Sequence, residues 1–245
     1  MVFVVFYRYR GRMASANGHD LVQNLQMSTP PEVFYPAFLD LTGKRCLVVG
    51  GGPVGTEKSE KLLDAGASVR LVSPQITPEL AALVTAGAID EFHRREYQRG
   101  DLDGCLLVIA ATNLAEVNLE VWEDAEARTM LVNVVDVPPL CNFIVPSIMR
   151  HGELAVAVST GGASPIVART VRQRIQAEIG PEWGELVALM RQTRDELKER
   201  FTTMPTRAAA VERLLESGIV ERLAEGDRPA ALALMREHLG TEVAE

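Results

Sequence analysis

Residues 45–55, RCLVVGGGPVG, decide the fold. Their apolar first half predicts a buried strand, and the segment 53–65 that follows predicts a helix. The glycines between them form the pattern GxGxxG in the strand–turn–helix setting of a dinucleotide site. There the first glycine permits a tight turn, the second lets a pyrophosphate approach the backbone, and the third lets the helix pack on the strand. The predicted cofactor-binding residues of this loop are Gly50, Gly51, Gly52, Pro53, Val54 and Gly55.

The alternation of strands and helices continues after this loop. The predicted strands are 45–49, 68–73, 89–93, 106–110 and 131–135, and the helices between them are 53–65, 78–86 and 115–127. This order predicts an α/β fold, a Rossmann-type parallel sheet with helices on both faces. The rest of the chain predicts strand 152–159 and helices 165–179, 183–201, 205–217 and 229–239.

These patterns divide the chain into four segments. We assign 35–145 to the Rossmann-type domain, 146–180 to a small α+β region, and 181–245 to a helical C-terminal domain. Residues 1–34 lack periodicity and contain clusters of Gly, Asn, Ser and Pro. We interpret them as a disordered arm, or as an over-extended start with Met27 as the natural initiator.

The acid that usually binds the ribose of NAD is missing after the second predicted strand. That strand ends at Ser73, Pro74 and Gln75, and the next acidic residue is Glu79. Ser73 and Gln75 are weaker candidates for the ribose. Because no arginine follows the strand to receive a 2′-phosphate, the pattern leans slightly to NAD. Thr112 and Asn113, after the strand 106–110, are either further cofactor contacts or a helix cap.

Asp136 follows the last strand of the predicted sheet, where a nicotinamide is expected. A carboxylate there can act as a general base, and the alternative is a turn aspartate before two prolines. Asn133 in the same strand is a candidate substrate contact.

Residues 159–165, STGGASP, form a second glycine loop before a helix. Such a loop offers backbone N–H groups to an anion, and the helix adds arginines that share a face. No Asp or Glu occurs in 154–177. The pattern indicates a carboxylate or phosphate pocket, or else an ordinary capped helix with solvated arginines. The candidate substrate-binding residues here are Thr160, Gly161, Gly162, Ser164, Arg169 and Arg172.

Composition excludes several classes of partner. The formal net charge of −8 argues against nucleic acid and against a polybasic membrane surface. The apolar start of the chain is too short to span a bilayer. Three cysteines without a CxxC pair fit a reducing cytoplasm, and no His/Cys cluster marks a metal site.

Seven motifs in order give the chain a specific resemblance over about 34–240. They are YPAFLDL (35–41), GGGPVG (50–55), VSP (72–74), AATN (110–113), NVVD (133–136), NFIVPS (142–147) and AVSTGGASP (157–165). Together they resemble the dehydrogenase/ferrochelatase module of siroheme synthase, the precorrin-2 dehydrogenase family.

The resemblance implies that precorrin-2 is oxidised to sirohydrochlorin with NAD⁺, and that in some members the same site inserts Fe²⁺. It implies that Asp136 is the essential aspartate. It also implies that members of the family lack the acidic residue that usually binds the ribose. Residues 146–180 would be the dimerisation region of a homodimer. A serine that some members phosphorylate corresponds to Thr160, so that modification is not implied. Longer members add a methyltransferase domain, for which this chain is too short. The alternative to an enzyme is a non-catalytic, redox-sensing NAD module.

Overall fold

The computed structural model describes residues 34–241, so the predictions for 1–33 lie outside the described residues. The chain divides into two compact units, one up to Ile144 and one from Val145 onward. This division lies next to the predicted boundary at 145. The predicted segments 146–180 and 181–245 fall within a single unit.

The first unit is built on a five-stranded parallel sheet with the order β3-β2-β1-β4-β5. Its strands are β1 (Arg45–Val49), β2 (Ser68–Val72), β3 (Glu91–His93), β4 (Leu107–Ala110) and β5 (Leu131–Val134). Its helices are α1 (Pro53–Asp64), α2 (Pro78–Thr85) and α3 (Ala115–Ala127), with short 3₁₀ helices at Arg99–Leu102 and Pro138–Leu140.

Alternate residues of β1 face two different cores, because successive side chains of a strand point to opposite faces. Leu47 packs in the core that includes Val121 of α3. Val48 packs in the core that includes Leu62 of α1 and Leu80 of α2. Helices therefore cover both faces, and the predicted Rossmann-type fold is confirmed.

The strand order places the ligand site. The chain leaves β1 toward β2 on one side and returns to β4 on the other, so the switch point lies between β1 and β4. In open parallel sheets ligands bind outside the carboxyl ends of the strands at this point.

The second unit is an antiparallel hairpin with six helices in the described part of the chain. The hairpin strands are β6 (Ser147–His151) and β7 (Leu154–Val158). The helices are α4 (Pro165–Glu178), α5 (Pro181–Gln192), α6 (Arg194–Arg200), α7 (Met204–Glu216), α8 (Ile219–Ala224) and α9 (Arg228–Leu239). Leu189, Leu214 and Met235 lie in the shared core of the helical part.

Three details of this unit differ from the prediction. Strand β6 was not predicted, because its sequence SIMRH mixes polar and apolar residues. Helix α8 was not predicted either. The predicted helix 183–201 is interrupted at the buried Thr193, whose hydroxyl donates to the Leu189 carbonyl at 3.3 Å. The apolar spacing of Leu186, Leu189 and Leu197 runs through this break and conceals it.

Candidate functional site

Two glycines of the first loop allow β1, the loop and α1 to approach one another closely. Gly50 has φ +115° and its N–H donates to the Val72 carbonyl at 2.9 Å. A Cβ built at Gly50 would overlap the carbonyl oxygen of Ala111, and one at Gly55 would overlap the carbonyl oxygen of Gly50. Both positions therefore hold β1, the loop and α1 in close contact.

Gly51 and Gly52 face different surroundings. A Cβ at Gly51 would lie 2.9 Å from Ser73 Oγ and would overlap the Gln75 carbonyl, so Gly51 is needed for packing against the loop after β2. A Cβ at Gly52 would meet nothing within 4 Å. Gly52 also caps α1 with no side-chain hydrogen bond, and the first turn of that helix holds no acid. This open helix N-terminus fits the phosphates of a dinucleotide.

Two threonines that were not among the predicted site residues tie the glycine loop to the loop after β2, although the sequence predicts Thr77 as the cap of α2. The Thr77 N–H donates to the Gly51 carbonyl at 3.0 Å, and the hydroxyl oxygens of Thr56 and Thr77 lie 2.8 Å apart. The buried Ser73 donates its hydroxyl to the Gln75 carbonyl at 2.6 Å. Ser73 therefore shapes the turn, while Pro74 and Gln75 are exposed at its surface.

The Thr112 hydroxyl is committed to the start of α3. It accepts a hydrogen bond from the Leu114 N–H at 3.1 Å and lies 2.8 Å from Asn118 Oδ1. The Asn118 amide donates to the Thr112 carbonyl at 3.0 Å. This geometry favours the helix-cap interpretation of Thr112. Asn113 is exposed beside it and stays a candidate cofactor contact.

Asp136 lies just beyond β5, exposed and with φ +61°. Among residues 34–241 the structure records no hydrogen bond or ion pair for its carboxylate. A non-glycine residue in this left-handed conformation is uncommon and is most often tolerated by Asn or Asp. The turn is held by the Val135 N–H, which donates to the Ala110 carbonyl at 2.9 Å.

Two asparagines hold the segment after Asp136 against β5. The Asn133 amide donates to the Phe143 carbonyl at 3.0 Å, so its nitrogen supports the backbone of this segment. Asn142 accepts from the Val132 N–H at 2.8 Å and donates to the Met130 carbonyl at 2.8 Å. At the edge of the sheet, Asn142 thus makes the backbone hydrogen bonds that a neighbouring strand would otherwise make to β5. This role depends on contacts between residues about ten positions apart, so the sequence alone does not show it.

The second glycine loop and its arginines belong to the second unit. Gly161 and Gly162 both have positive φ, +62° and +85°. The Thr160 hydroxyl accepts from the Ser164 N–H at 3.0 Å, and Ser164 Oγ caps α4 by accepting from the Val167 N–H at 3.3 Å. These hydroxyls are therefore used within the loop.

The arginines of α4 differ in their partners. Arg169 is exposed, with no recorded ion pair within 34–241, whereas Arg172 donates to the Gln176 side chain. Arg169 is thus the more available cation for an anionic ligand.

The first unit gathers the other predicted residues at one edge. Since all five strands are parallel, the glycine loop, the end of β2, Asn113 and Asp136 all lie at the carboxyl edge. Strand β5 is two positions from β1, so Asp136 lies about 10 Å to the side of the glycine loop.

In the described residues, no three His, Cys, Asp or Glu side chains are grouped to hold a metal. No helix in 34–241 has the length and apolar character to cross a membrane.

Three family models match consecutive parts of the chain. A model described as putative NAD(P)-binding matches residues 37–147, one described as sirohaem biosynthesis protein central matches 151–178, and one described as sirohaem synthase dimerisation region matches 182–239. The resemblance implies a dimerisation region at 146–180, whereas the model with that description matches 182–239. The location of the dimer interface therefore stays a proposal.

Curated relatives and one solved structure are similar to this chain. A siroheme synthase of Pseudomonas aeruginosa is 43% identical over 206 residues, covering 84% of this chain and 44% of the relative. A siroheme synthase of Chromobacterium violaceum is 41% identical over 206 residues, with the same two shares. The chain thus spans less than half the length of these relatives. The structure of SirC, a precorrin-2 dehydrogenase, has a TM-score of 0.69 and 20% identity, covering 85% of this chain and all of that one, and shows the fold.

Proposed function

We infer that this chain belongs to the siroheme synthase family, and from that premise we propose that it oxidises precorrin-2 to sirohydrochlorin with NAD⁺. One observation carries the proposal. The uncapped start of α1 at Gly52 and the carboxylate of Asp136 lie at the same edge of one sheet. A dinucleotide whose phosphates sit on α1 would place its other end toward β5.

The glycine loop, Gln75 and Asn113 are the residues that would hold the cofactor. The open space at Gly52 admits the pyrophosphate, and the free N-terminal end of α1 favours its negative charge. Bound NAD⁺ would supply the acceptor for the hydride that the macrocycle loses.

Asp136 is the proposed proton acceptor. Oxidation of precorrin-2 removes one hydride and one proton, so a base must take the proton that the cofactor does not take. The exposed Asp136 carboxylate has no competing partner among the described residues, and its turn is fixed by backbone bonds. A positioned carboxylate of this kind contributes on the order of 10²–10⁴-fold to rate.

The second glycine loop and α4 are the proposed contacts of the substrate's carboxylates. Precorrin-2 bears eight of them, and the segment 154–177 holds Arg169 and Arg172 but no acid. The local charge is therefore opposite in sign to the net charge of −8. Thr160, Gly161, Gly162 and Ser164 would present the start of α4 to the same anion.

Insertion of Fe²⁺ is a second proposed step. Sirohydrochlorin offers four nitrogens to the metal and must lose two protons, for which Asp136 is the proposed acceptor. Because the macrocycle provides the ligands, the protein needs few of its own. Comparing Fe²⁺ and Co²⁺ uptake by sirohydrochlorin with wild-type protein, with an Asp136 variant and without protein tests this step. Equal rates in all three would remove it.

A homodimer in the cytoplasm completes the proposal. Helix α4 exposes Ile166 to 66%, and the start of α7 exposes Met204 to 71%. Ile166→Asp and Met204→Asp each place a charge on one of the two candidate dimerisation segments, and neither side chain is buried. Light scattering after size-exclusion chromatography measures the mass of each variant in solution. The variant that becomes monomeric identifies its own segment as the dimer interface.

The test of the activity is spectroscopic. Protein, NAD⁺ and precorrin-2 are mixed, and the absorbance of NADH and of sirohydrochlorin is followed. Formation of both at equal amounts is expected. Binding of NAD⁺ without turnover would indicate the non-catalytic, redox-sensing alternative.

A further inference from the structure

An arginine lies beside the end of β2, the part of a dinucleotide site where NAD⁺ and NADP⁺ are distinguished. Val72 at the end of β2 pairs with His93 at the end of β3, and the Ser73 N–H donates to the His93 carbonyl at 3.2 Å. Arg94 is therefore the neighbour of Ser73 across the carboxyl edge of the sheet. The ribose of a dinucleotide lies where β2 ends, and an arginine near that point accommodates a 2′-phosphate.

The guanidinium of Arg94 is available to a ligand. Arg94 is exposed, and its guanidinium carbon lies 5.4 Å from the ring centroid of Phe92. It makes no recorded hydrogen bond or ion pair with any residue in 34–241. The adjacent Arg95 differs, because it donates to both carboxylate oxygens of Asp101, at 2.8 and 2.7 Å.

No acid at the end of β2 opposes a phosphate. An acid there would repel a 2′-phosphate, and this chain has Ser73, Pro74 and Gln75 instead. The acidic residue of the adjoining strand β3, Glu91, forms ion pairs with Arg45 and Arg70. The other charged groups near the ends of β2 and β3 in sequence are Glu79, His93, Glu96 and the Arg95–Asp101 pair.

We infer that Arg94 binds the 2′-phosphate of NADP⁺, so that the site takes NADP⁺ as well as NAD⁺. This inference rests on the proposed function, because it needs a dinucleotide lying across the glycine loop. The planar guanidinium provides paired N–H donors that match phosphate oxygens. Its stacking on Phe92 holds the positive charge at the sheet edge.

Calorimetric titration of the full chain with NAD⁺ and with NADP⁺ tests the inference, since the two ligands differ only in the 2′-phosphate. The variants are Arg94→Ala, Arg94→Lys and the control Arg99→Ala. Arg99 is also exposed, and its charge lies 3.7 and 3.9 Å from Glu120 and Glu123. Its removal therefore changes the net charge of the protein equally but leaves the end of β2 untouched.

Wild-type protein is expected to bind both dinucleotides. Arg94→Ala should raise the Kd for NADP⁺ about tenfold or more and that for NAD⁺ less than about twofold, with Arg94→Lys in between. Arg99→Ala should leave the ratio of the two Kd values unchanged. Binding of NAD⁺ without NADP⁺, or an equal effect of Arg94→Ala on both, would overturn the inference alone. Failure to bind either dinucleotide would overturn the proposed function as well.

Discussion

Gly55→Ala provides a stringent test of the role that we assign to the glycine loop. A Cβ at Gly55 would overlap the carbonyl oxygen of Gly50 and lie 2.9 Å from its carbonyl carbon, closer than the 3.0 Å that real Cβ atoms respect. The Gly50 backbone cannot yield easily, because its N–H is bonded to the Val72 carbonyl at 2.9 Å. The added methyl must therefore push α1 away from the end of β1.

The expected loss of stability follows from two opposing effects. Overpacking costs about 1–3 kcal/mol. The better helix propensity of alanine over glycine offsets this by up to about 1 kcal/mol, since Gly55 lies within α1. Because the overlap is with backbone atoms, the upper part of the overpacking range applies, about 2–3 kcal/mol. Subtracting about 1 kcal/mol for helix propensity, we expect the free energy of unfolding to fall by about 1–2 kcal/mol.

Gly52→Ala is the matched control. Gly52 has φ −78°, which alanine adopts without strain, and a Cβ there meets no atom within 4 Å. Its cost as a poorer N-cap is less than about 1 kcal/mol. The methyl would nevertheless occupy the approach of the pyrophosphate, so we expect NAD⁺ affinity to fall about tenfold, or about 1.4 kcal/mol.

Urea unfolding followed by circular dichroism, together with NAD⁺ titration, measures both effects. Full stability of Gly55→Ala would refute the packing argument. A Gly52→Ala variant that binds NAD⁺ as the wild type does would refute the assignment of Gly52 to the pyrophosphate.

Two further predictions concern titratable groups in the first unit. Burial raises the pKa of Cys46 from 9.0 to about 11. The unfolded chain therefore loses this proton first, and the free energy of unfolding should fall from about pH 9 to about pH 11. The midpoint of urea unfolding should fall less over this pH range in Cys46→Ala than in the wild type. Burial raises the pKa of Asp101, but the Arg95 hydrogen bonds and the Gln98 N–H outweigh it and lower the pKa below its usual value. Asp101→Asn should thus cost about 2 kcal/mol near neutral pH. The gap from wild type in urea unfolding should narrow as pH falls below 3.8, because the unfolded chain then binds a proton that the folded carboxylate still lacks; a constant gap would contradict this.

The first unit could be predicted from sequence because each of its signals is local. The strand, the glycines and the helix of residues 45–64 are contiguous, and the positive φ of Gly50 and the cap at Thr77 follow from residue type. The candidate site could be predicted where its residues directly follow strands, as Asp136 does.

The remaining features depend on contacts between distant residues. Arg94 reaches the end of β2 only through the register of Val72 with His93, and Asn142 clamps β5 from beyond a turn. The break at Thr193 leaves the apolar spacing intact, so periodicity does not detect it. The hydrogen bonding of Thr112 at the start of α3 likewise depends on Asn118, six residues further along the chain.

The central claim is that Asp136 takes a proton from precorrin-2 beside a dinucleotide held by the glycine loop. The most direct measurement is single-turnover formation of NADH from precorrin-2 and NAD⁺, in wild-type protein and in Asp136→Asn. Asparagine tolerates the φ of +61° at this position, so the fold and NAD⁺ binding should persist. We predict a rate at least about 100-fold lower in the variant, with an unchanged Kd for NAD⁺. NADH formation at the wild-type rate in Asp136→Asn would contradict the account.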